Sequence, residues 1–176
     1  LINTAQENGY SAQIVTAVDS VNNRQKLVLA DKVKSYFKDR GGIAGKTLAI
    51  WGLAFKANTD DIRDSAALTT IESLTAEGMT VHAYDPEAGE KAKEALKGNP
   101  QANVVDSQYS ALNNADALAI VTDWNQFRNP DFHRIKKAIK TPVIFDGRNL
   151  YSATFLAGLG FEYFSIGRPA VQAGAK

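Results

Sequence analysis

The pair Gly41-Gly42 separates two stretches whose apolar residues follow different periods, and that change constrains the fold more than any other feature of the chain. Before it, residues 11–38 run without glycine or proline, with Ile14, Val18, Val21, Gln25 and Val28, then Leu29, Val33 and Tyr36, on a stripe of helical spacing that drifts slightly. Globular helices usually run about 8 to 20 residues. The spacing therefore predicts a helix suited to bridging domains or pairing with another chain, with two shorter helices joined at a bend as the alternative. Leu1, Ile2 and Ala5 also stand at helical spacing, with Gly9 as the stop. A start in mid-helix without methionine reads as a piece of a longer protein.

After Gly42 short apolar runs alternate with helical segments. Strands are expected at 46–51, 80–84, 102–105, 115–121, 141–145 and 161–165, and helices at 65–77, 87–97, 110–114, 130–140 and 152–159. Ser65 is a good N-cap, and Gly78 ends the segment that follows it. Strands and helices alternating at this spacing predict an α/β fold, a doubly wound parallel sheet preceded by a long linker or dimerisation helix, because right-handed crossovers put helices on both faces. The division expected is 1–40 and 41–176, with fraying from Ala170 to Lys176.

Composition excludes several functions. The 20 basic and 19 acidic residues are spread along the chain, so no basic face for nucleic acid is expected. Apolar runs such as 117–121 are far too short to cross a bilayer and no leader opens the chain, which predicts a cytoplasmic protein with no membrane partner. Without cysteine there is no disulfide and no thiolate nucleophile in this chain. His82 and His133 stand far apart with no ligand pattern around them, so no metal is expected.

An open parallel sheet binds ligands outside the carboxyl ends of its strands. The loop after Trp51 runs from Gly52 to Ser65 and lacks a G-x-G-x-x-G fingerprint, so Lys56 and Arg63 would have to supply charge to a phosphate, unless they are only solvated surface cations. Asp60, Asp61 and Asp64 do not have the spacing of a calcium loop and are read as structural carboxylates near a helix start. Asp85 stands where a dinucleotide fold keeps its ribose acid, but Asp85-Pro86 also reads as a cap followed by proline at the first helical position, and the cap is preferred. Trp124 and Phe127 are read as packing on the sheet edge rather than stacking on a ligand. In Asp146-Gly147-Arg148 the glycine permits a tight turn and the arginine emerges at a strand end, where an anion would be met.

The segment Gly-Leu-Ala-Phe-Lys-Ala-Asn-Thr-Asp-Asp-Ile-Arg-Asp-Ser at 52–65 resembles a signature of the UDP-glucose/GDP-mannose dehydrogenase family. Ala-Asp-Ala at 115–117, Thr-Asp-Trp-Asn-Gln-Phe at 122–127, Phe-Asp-Gly-Arg-Asn-Leu-Tyr at 145–151 and Tyr-Phe-Ser-Ile-Gly-Arg at 163–168 follow in the family's order. The resemblance implies that 41–176 is a Rossmann-like carboxy-terminal UDP-sugar-binding domain and that 1–40, with Val21, Asn22 and Gln25, is the end of the central domain, whose helix makes a homodimer contact. It implies an NAD-dependent oxidation of the C6 alcohol of UDP-glucose to a carboxylate through an upstream cysteine, with NAD held mainly by an amino-terminal domain and this chain alone inactive. By the same resemblance Phe55, Lys56 and Arg148 contact the nucleotide sugar and Arg63 reaches the NAD. The last two segments look most like the UDP-glucose branch; GDP-mannose and UDP-N-acetylhexosamine dehydrogenases, or a non-catalytic nucleotide-binding or dimerisation module, are the alternatives.

Overall fold

The computed structural model describes residues 1–173. Two helices, α1 (Ile2–Glu7) and α2 (Gln13–Lys38), precede an alternation of strands and helices: β1 (Thr47–Trp51), α3 (Ala66–Thr75), β2 (Thr80–Tyr84), α4 (Gly89–Ala95), β3 (Ala102–Val104), a 3-10 turn at Ser110–Leu112, β4 (Ala117–Ile120), α5 (Asn125–Arg128), α6 (Phe132–Ala138), β5 (Val143–Asp146), α7 (Ala153–Gly158) and β6 (Glu162–Ser165). The six strands form one sheet in the order β3-β2-β1-β4-β5-β6, and every pairing between neighbours is parallel. The chain winds outward from β1 to β3, returns to place β4 beside β1, and winds outward again to β6. This is the doubly wound order, and its direction reverses between β1 and β4.

Burial follows from position in the sheet. Leu48, Ala49, Ile50 and Trp51 of β1 and all four residues of β4 are buried, because helices cover both faces of the central strands. In β2, by contrast, Val81 and Ala83 are buried while Thr80, His82 and Tyr84 are half-buried. Ser65 caps α3 by accepting the Ala67 N–H, as its sequence predicts. Asp131 and Ser152 cap α6 and α7 in the same way.

α2 is a single unbroken helix of 26 residues, about 39 Å long at 1.5 Å per residue. Its last turns enter the core through Leu29, Ala30, Val33, Tyr36 and Phe37. Tyr36 sets its ring edge-on against Phe145 and Phe164 and donates its hydroxyl to Glu162 at 2.6 Å. Lys34 reaches α3, with Nζ 2.8 Å from Ser73 Oγ and 2.6 Å from Glu77 Oε1. The change of period at Gly41-Gly42 is therefore a change of element inside one core, since residues 29–37 pack with the sheet they precede. Residues 16–25, in contrast, are all exposed.

Three expectations are amended. The helix expected from 87 begins at Gly89; Asp85 accepts the Glu87 and Ala88 N–H groups as a cap would, on the turn that leads into it. A short helix, α5, occupies 125–128, where packing but no helix was read. The tail expected to fray from Ala170 is pinned at Val171, which exchanges both backbone hydrogen bonds with Tyr163 at 2.9 and 3.0 Å; residues 174–176 lie outside the described residues. Among the described residues no helix is long and apolar enough to cross a membrane, and no group of three or more His, Cys, Asp and Glu could hold a metal ion.

Candidate functional site

β1, β4 and β5 are neighbours, so the loops after their carboxyl ends share one rim at the reversal point of the sheet. The first loop leaves β1 at Gly52, whose φ of +96° favours glycine and whose missing side chain matters: a Cβ there would lie 2.5 Å from the backbone nitrogen of Thr122. That close approach lets the loops after β1 and β4 interlock. Thr122, fully buried, donates its hydroxyl to the Ala54 carbonyl at 2.6 Å, and Ser65 donates to the Leu53 carbonyl at 2.6 Å.

Asp85, at the end of β2, holds the same loop from the other side. Its Oδ2 accepts the backbone N–H groups of Leu53 (2.7 Å) and Ala54 (2.9 Å) and the Trp124 indole N–H (3.0 Å); its Oδ1 accepts from Glu87 (3.0 Å) and Ala88 (2.8 Å). The residue read as a helix cap is thus the junction of three loops. Both its oxygens are spent inside the protein, so it is not available to a ribose. Together with the absence of a tight glycine-rich turn before α3, this means the residues present do not form a dinucleotide cradle for NAD.

Phe55 and Lys56 stand just beyond the clamped stretch. The Phe55 N–H is tied to the Asp61 carbonyl at 2.8 Å, whereas its ring is 53% exposed. Lys56 is exposed and makes no ion pair among the described residues. An exposed large apolar ring beside an unpaired cation is an arrangement that can meet a ligand with a flat apolar part and a phosphate.

Arg148 leaves the end of β5 from a rigid turn. Its backbone N–H is held by Oδ1 of Asp146 at 2.8 Å, and the fully buried Asp146 also accepts from Leu150 N (2.7 Å) and the Tyr163 hydroxyl (2.7 Å) through Oδ2. Burial, followed by the nearby Asp146 charge, raises the pKa of both Tyr151 and Tyr163 well beyond the ordinary tyrosine value, which keeps them protonated as donors. The Arg148 guanidinium lies against Asp123, with Nε at 3.2 Å and Nη2 at 2.9 Å from Oδ1. Partial burial opposes ionisation of Asp123, but its hydrogen bond from Arg148 and the charges of Arg148 and Arg128 outweigh burial and hold its pKa below the usual carboxylate range.

Arg63 stands on the same loop as Phe55 and Lys56. It lies toward α4, 88% exposed at its side chain, and pairs bidentately with Asp61 through Nε–Oδ1 at 2.9 Å and Nη2–Oδ2 at 2.7 Å. That pairing, led by the side-chain hydrogen bond, pulls the Asp61 pKa far down. Asp60 pairs with Lys91 and Asp64 with Lys26, so each member of the acidic trio has its own cation. The structure therefore places Phe55 and Lys56 on the loop after β1 and Arg148 on the loop after β5, and links Arg63 to the first of these through Asp61, whose carbonyl accepts the Phe55 N–H. Sequence reasoning missed Asp123 and Thr122 as the groups that join the loops; no local pattern signals them, since their partners are 25 and 68 residues away.

A hollow of about 600 Å³ lies elsewhere, between α2 and β6, lined by Val28, Tyr36, Arg40 and Phe164 among others. Its Arg40 is already engaged, stacked 4.0 Å over the Tyr36 ring and donating to the Tyr36 carbonyl at 2.7 Å. The same lining carries Asp31 and Lys32, so the hollow presents charges of both signs.

Order and direction of the strands define a Rossmann-like domain of the doubly wound α/β class. Residues 49–153 match the UDP-glucose/GDP-mannose dehydrogenase family, UDP binding domain, and the chain belongs to that family. It is 44% identical over 173 residues to the UDP-glucose 6-dehydrogenase of Pseudomonas aeruginosa and 41% identical over 169 residues to that of Rhizobium meliloti, in each case over 96% of this chain. The chain spans 38% of the length of each of these relatives. Among solved structures it resembles a UDP-glucose dehydrogenase from Pyrobaculum islandicum, with a TM-score of 0.70 and 29% identity over 87% of this chain and 33% of that one. It also resembles a UDP-D-ManNAc dehydrogenase from Pyrococcus horikoshii, with a TM-score of 0.74 and 26% identity over 96% of this chain and 36% of that one.

Proposed function

We propose that this chain is the nucleotide-sugar-binding part of an NAD-dependent UDP-glucose 6-dehydrogenase, with residues 41–176 forming the UDP-sugar domain and 1–40 the end of a central dimerisation domain whose last turns, residues 29–37, are built into the core of the UDP-sugar domain. In the whole enzyme the C6 alcohol of UDP-glucose becomes a carboxylate, with two hydrides passing to NAD and water supplying the oxygen. This chain contributes binding and orientation: Lys56 and Arg148 grip the diphosphate, and Phe55 packs against the nucleotide sugar. The NAD site and the cysteine nucleophile belong to the rest of the protein, Arg63 being the residue of this chain that would reach the cofactor, so the chain by itself does not turn over. The setting is the cytoplasm, and the assembly a homodimer through α2.

The observation that carries this reading is that the loops bearing Lys56 and Arg148 follow the carboxyl ends of β1 and β5, on either side of β4, within the stretch the family match spans. The 44% identity to a UDP-glucose enzyme favours that substrate over UDP-N-acetylmannosamine, whose dehydrogenase matches in fold at 26% identity. Calorimetry with UDP, UDP-glucose and GDP tests it. A charge-assisted hydrogen bond is worth about 1.5–3 kcal/mol, so Lys56→Ala or Arg148→Ala is expected to weaken UDP binding by about ten- to a hundredfold. Equal binding by wild type and both variants would put the site elsewhere, preference for GDP would reject the substrate, and NADH formation by the pure chain would reject its inactivity. Asp85→Asn is not a neutral control, because the amide would turn a donor toward N–H groups that now meet an acceptor.

A further inference from the structure

Three consecutive residues of the loop after β4, Thr122 to Trp124, each fasten a different loop. Thr122 holds the Ala54 carbonyl, Trp124 donates to Asp85 at 3.0 Å, and between them Asp123 takes the Arg148 guanidinium. With Thr122 and Trp124 both buried, the backbone at Asp123 has little freedom to follow a moving arginine. The second Asp123 oxygen is braced by Arg128 Nη2 at 3.5 Å. Arg148 is fixed at its other end as well, where its backbone N–H bonds to the buried Asp146 at 2.8 Å.

The contact between Asp123 and Arg148 is side-on: Nε and Nη2 share one carboxylate oxygen. A guanidinium has five N–H donors in a planar fork. Side-on engagement uses the edge formed by Nε and one Nη, and leaves the end-on pair, one N–H from each Nη, unspent. That end-on pair matches two oxygens of a phosphate. At 38% exposure for the Arg148 side chain and 33% for Asp123, the pair is open to solvent on one side.

We propose that Asp123 is a positioning residue for the nucleotide-sugar diphosphate: it holds Arg148 by its side edge so that the end-on fork is presented to a phosphate. The proposal rests on Arg148 being a substrate contact, as argued above. Asp123 has two opposed effects. Its negative charge offsets part of the attraction that Arg148 exerts on an anion, while its hydrogen bonds remove the rotamer freedom that Arg148 would otherwise lose on binding. In a diphosphate site the second effect dominates, because the fork must meet two oxygens at once.

The two effects separate in two variants of the full chain, read by calorimetry with UDP. D123N keeps an oxygen that accepts from Nε and Nη2 and removes the charge, so binding is expected to equal or exceed that of wild type. D123A removes both, and is expected to weaken binding by about tenfold, the scale of one charge-assisted hydrogen bond. In an R148A background D123A should cause no further loss. A ligand-free readout accompanies these: the Arg148 Nε–H resonance in a nitrogen-15 spectrum, assigned by its disappearance in R148A, should be dispersed and slowly exchanging in wild type and D123N and collapse in D123A. Tighter binding in both variants would reduce Asp123 to a counter-charge and overturn the proposal. So would an equal loss from D123A with and without Arg148, or an Arg148 resonance indifferent to D123A. Wild type that fails to bind UDP while its Arg148 resonance still depends on Asp123 would overturn the functional reading of the rim instead.

Discussion

The two halves of α2 carry the same kind of apolar stripe and meet opposite fates. In the second half Leu29, Ala30, Val33, Tyr36 and Phe37 are buried against α3 and β5. In the first half Ile14, Val18 and Val21, at spacings of four and three, are 81%, 62% and 54% exposed. A stripe at helical spacing records that a face is meant to be covered, but not by what. The sheet is wide enough to cover only the part of the helix that runs over it, and the remainder extends past the edge of the core. Lys26 marks the transition, its stem largely buried while Nζ bonds Asp64 of the loop after β1 at 3.0 Å.

The sharpest test of this contrast compares one truncation in each half. Phe37→Ala removes a ring that is 2% exposed, and such changes cost about 3–5 kcal/mol. Val18→Ala, on the exposed half, should change the stability of the isolated monomer by less than about 0.5 kcal/mol. Urea denaturation of both variants at micromolar concentration reads the difference. Equal losses would mean that the first half is covered in solution too, and would end the distinction.

A second test asks what covers the exposed stripe. If it pairs with a second copy, Ile14→Glu, Val18→Glu and Val21→Glu together should weaken self-association at least about tenfold, roughly 1.4 kcal/mol or more, because each buries a charge in an apolar contact. Sedimentation at tens of micromolar should then change from dimer to monomer while the circular dichroism of the sheet domain is kept. A monomeric wild type would show that the stripe needs another partner. Removing residues 1–40 would not serve, since it deletes core residues with the stripe.

The smallest effect belongs to Tyr36, in the buried half. Burial and its hydrogen bond to Glu162 push its hydroxyl up to about 12, whereas the unfolded value is about 10. The folded state therefore holds this proton more tightly than the unfolded chain. The stability it confers is complete below pH 10 and is lost as the pH rises from there through about 12. Tyr36→Phe should lower stability at neutral pH by about 1 kcal/mol and flatten the alkaline loss. Tyr151 and Tyr163 will preserve part of the slope, since their pKa values are also raised. An unchanged alkaline profile in thermal melts would remove Tyr36 from the account.

Local pattern was enough for most of the fold. The six strands and the Ser65 cap were legible because a strand's run of apolar residues and a helix's first acceptor are properties of a few consecutive residues. β4 is bounded at Ala117–Ile120 against the expected 115–121, yet the Asp116 N–H still bonds the Thr47 carbonyl at 2.7 Å and the Val121 N–H the Trp51 carbonyl at 2.9 Å, so the strand differs in its bounds and not in its place. The rim was legible in outline, since a parallel sheet places Lys56 and Arg148 at strand ends whatever the rest of the chain does.

What the chain's own order of residues determined is the class of sheet, the presence of the long helix and the family signature, all of which depend on spacing over short distances. Only the tertiary structure decided the duties of the carboxylates. Asp85 reads as a cap and serves as a junction of three loops, Asp123 reads as one residue of a packing segment and holds Arg148, and Asp146 reads as the start of a turn and anchors it. The reason is physical: a buried carboxylate must find several donors, and in a doubly wound sheet those donors come from loops that are neighbours in space because strands far apart in the chain lie side by side. Which half of a uniform apolar stripe is buried depends likewise on where the sheet ends, a length that no residue of the helix records.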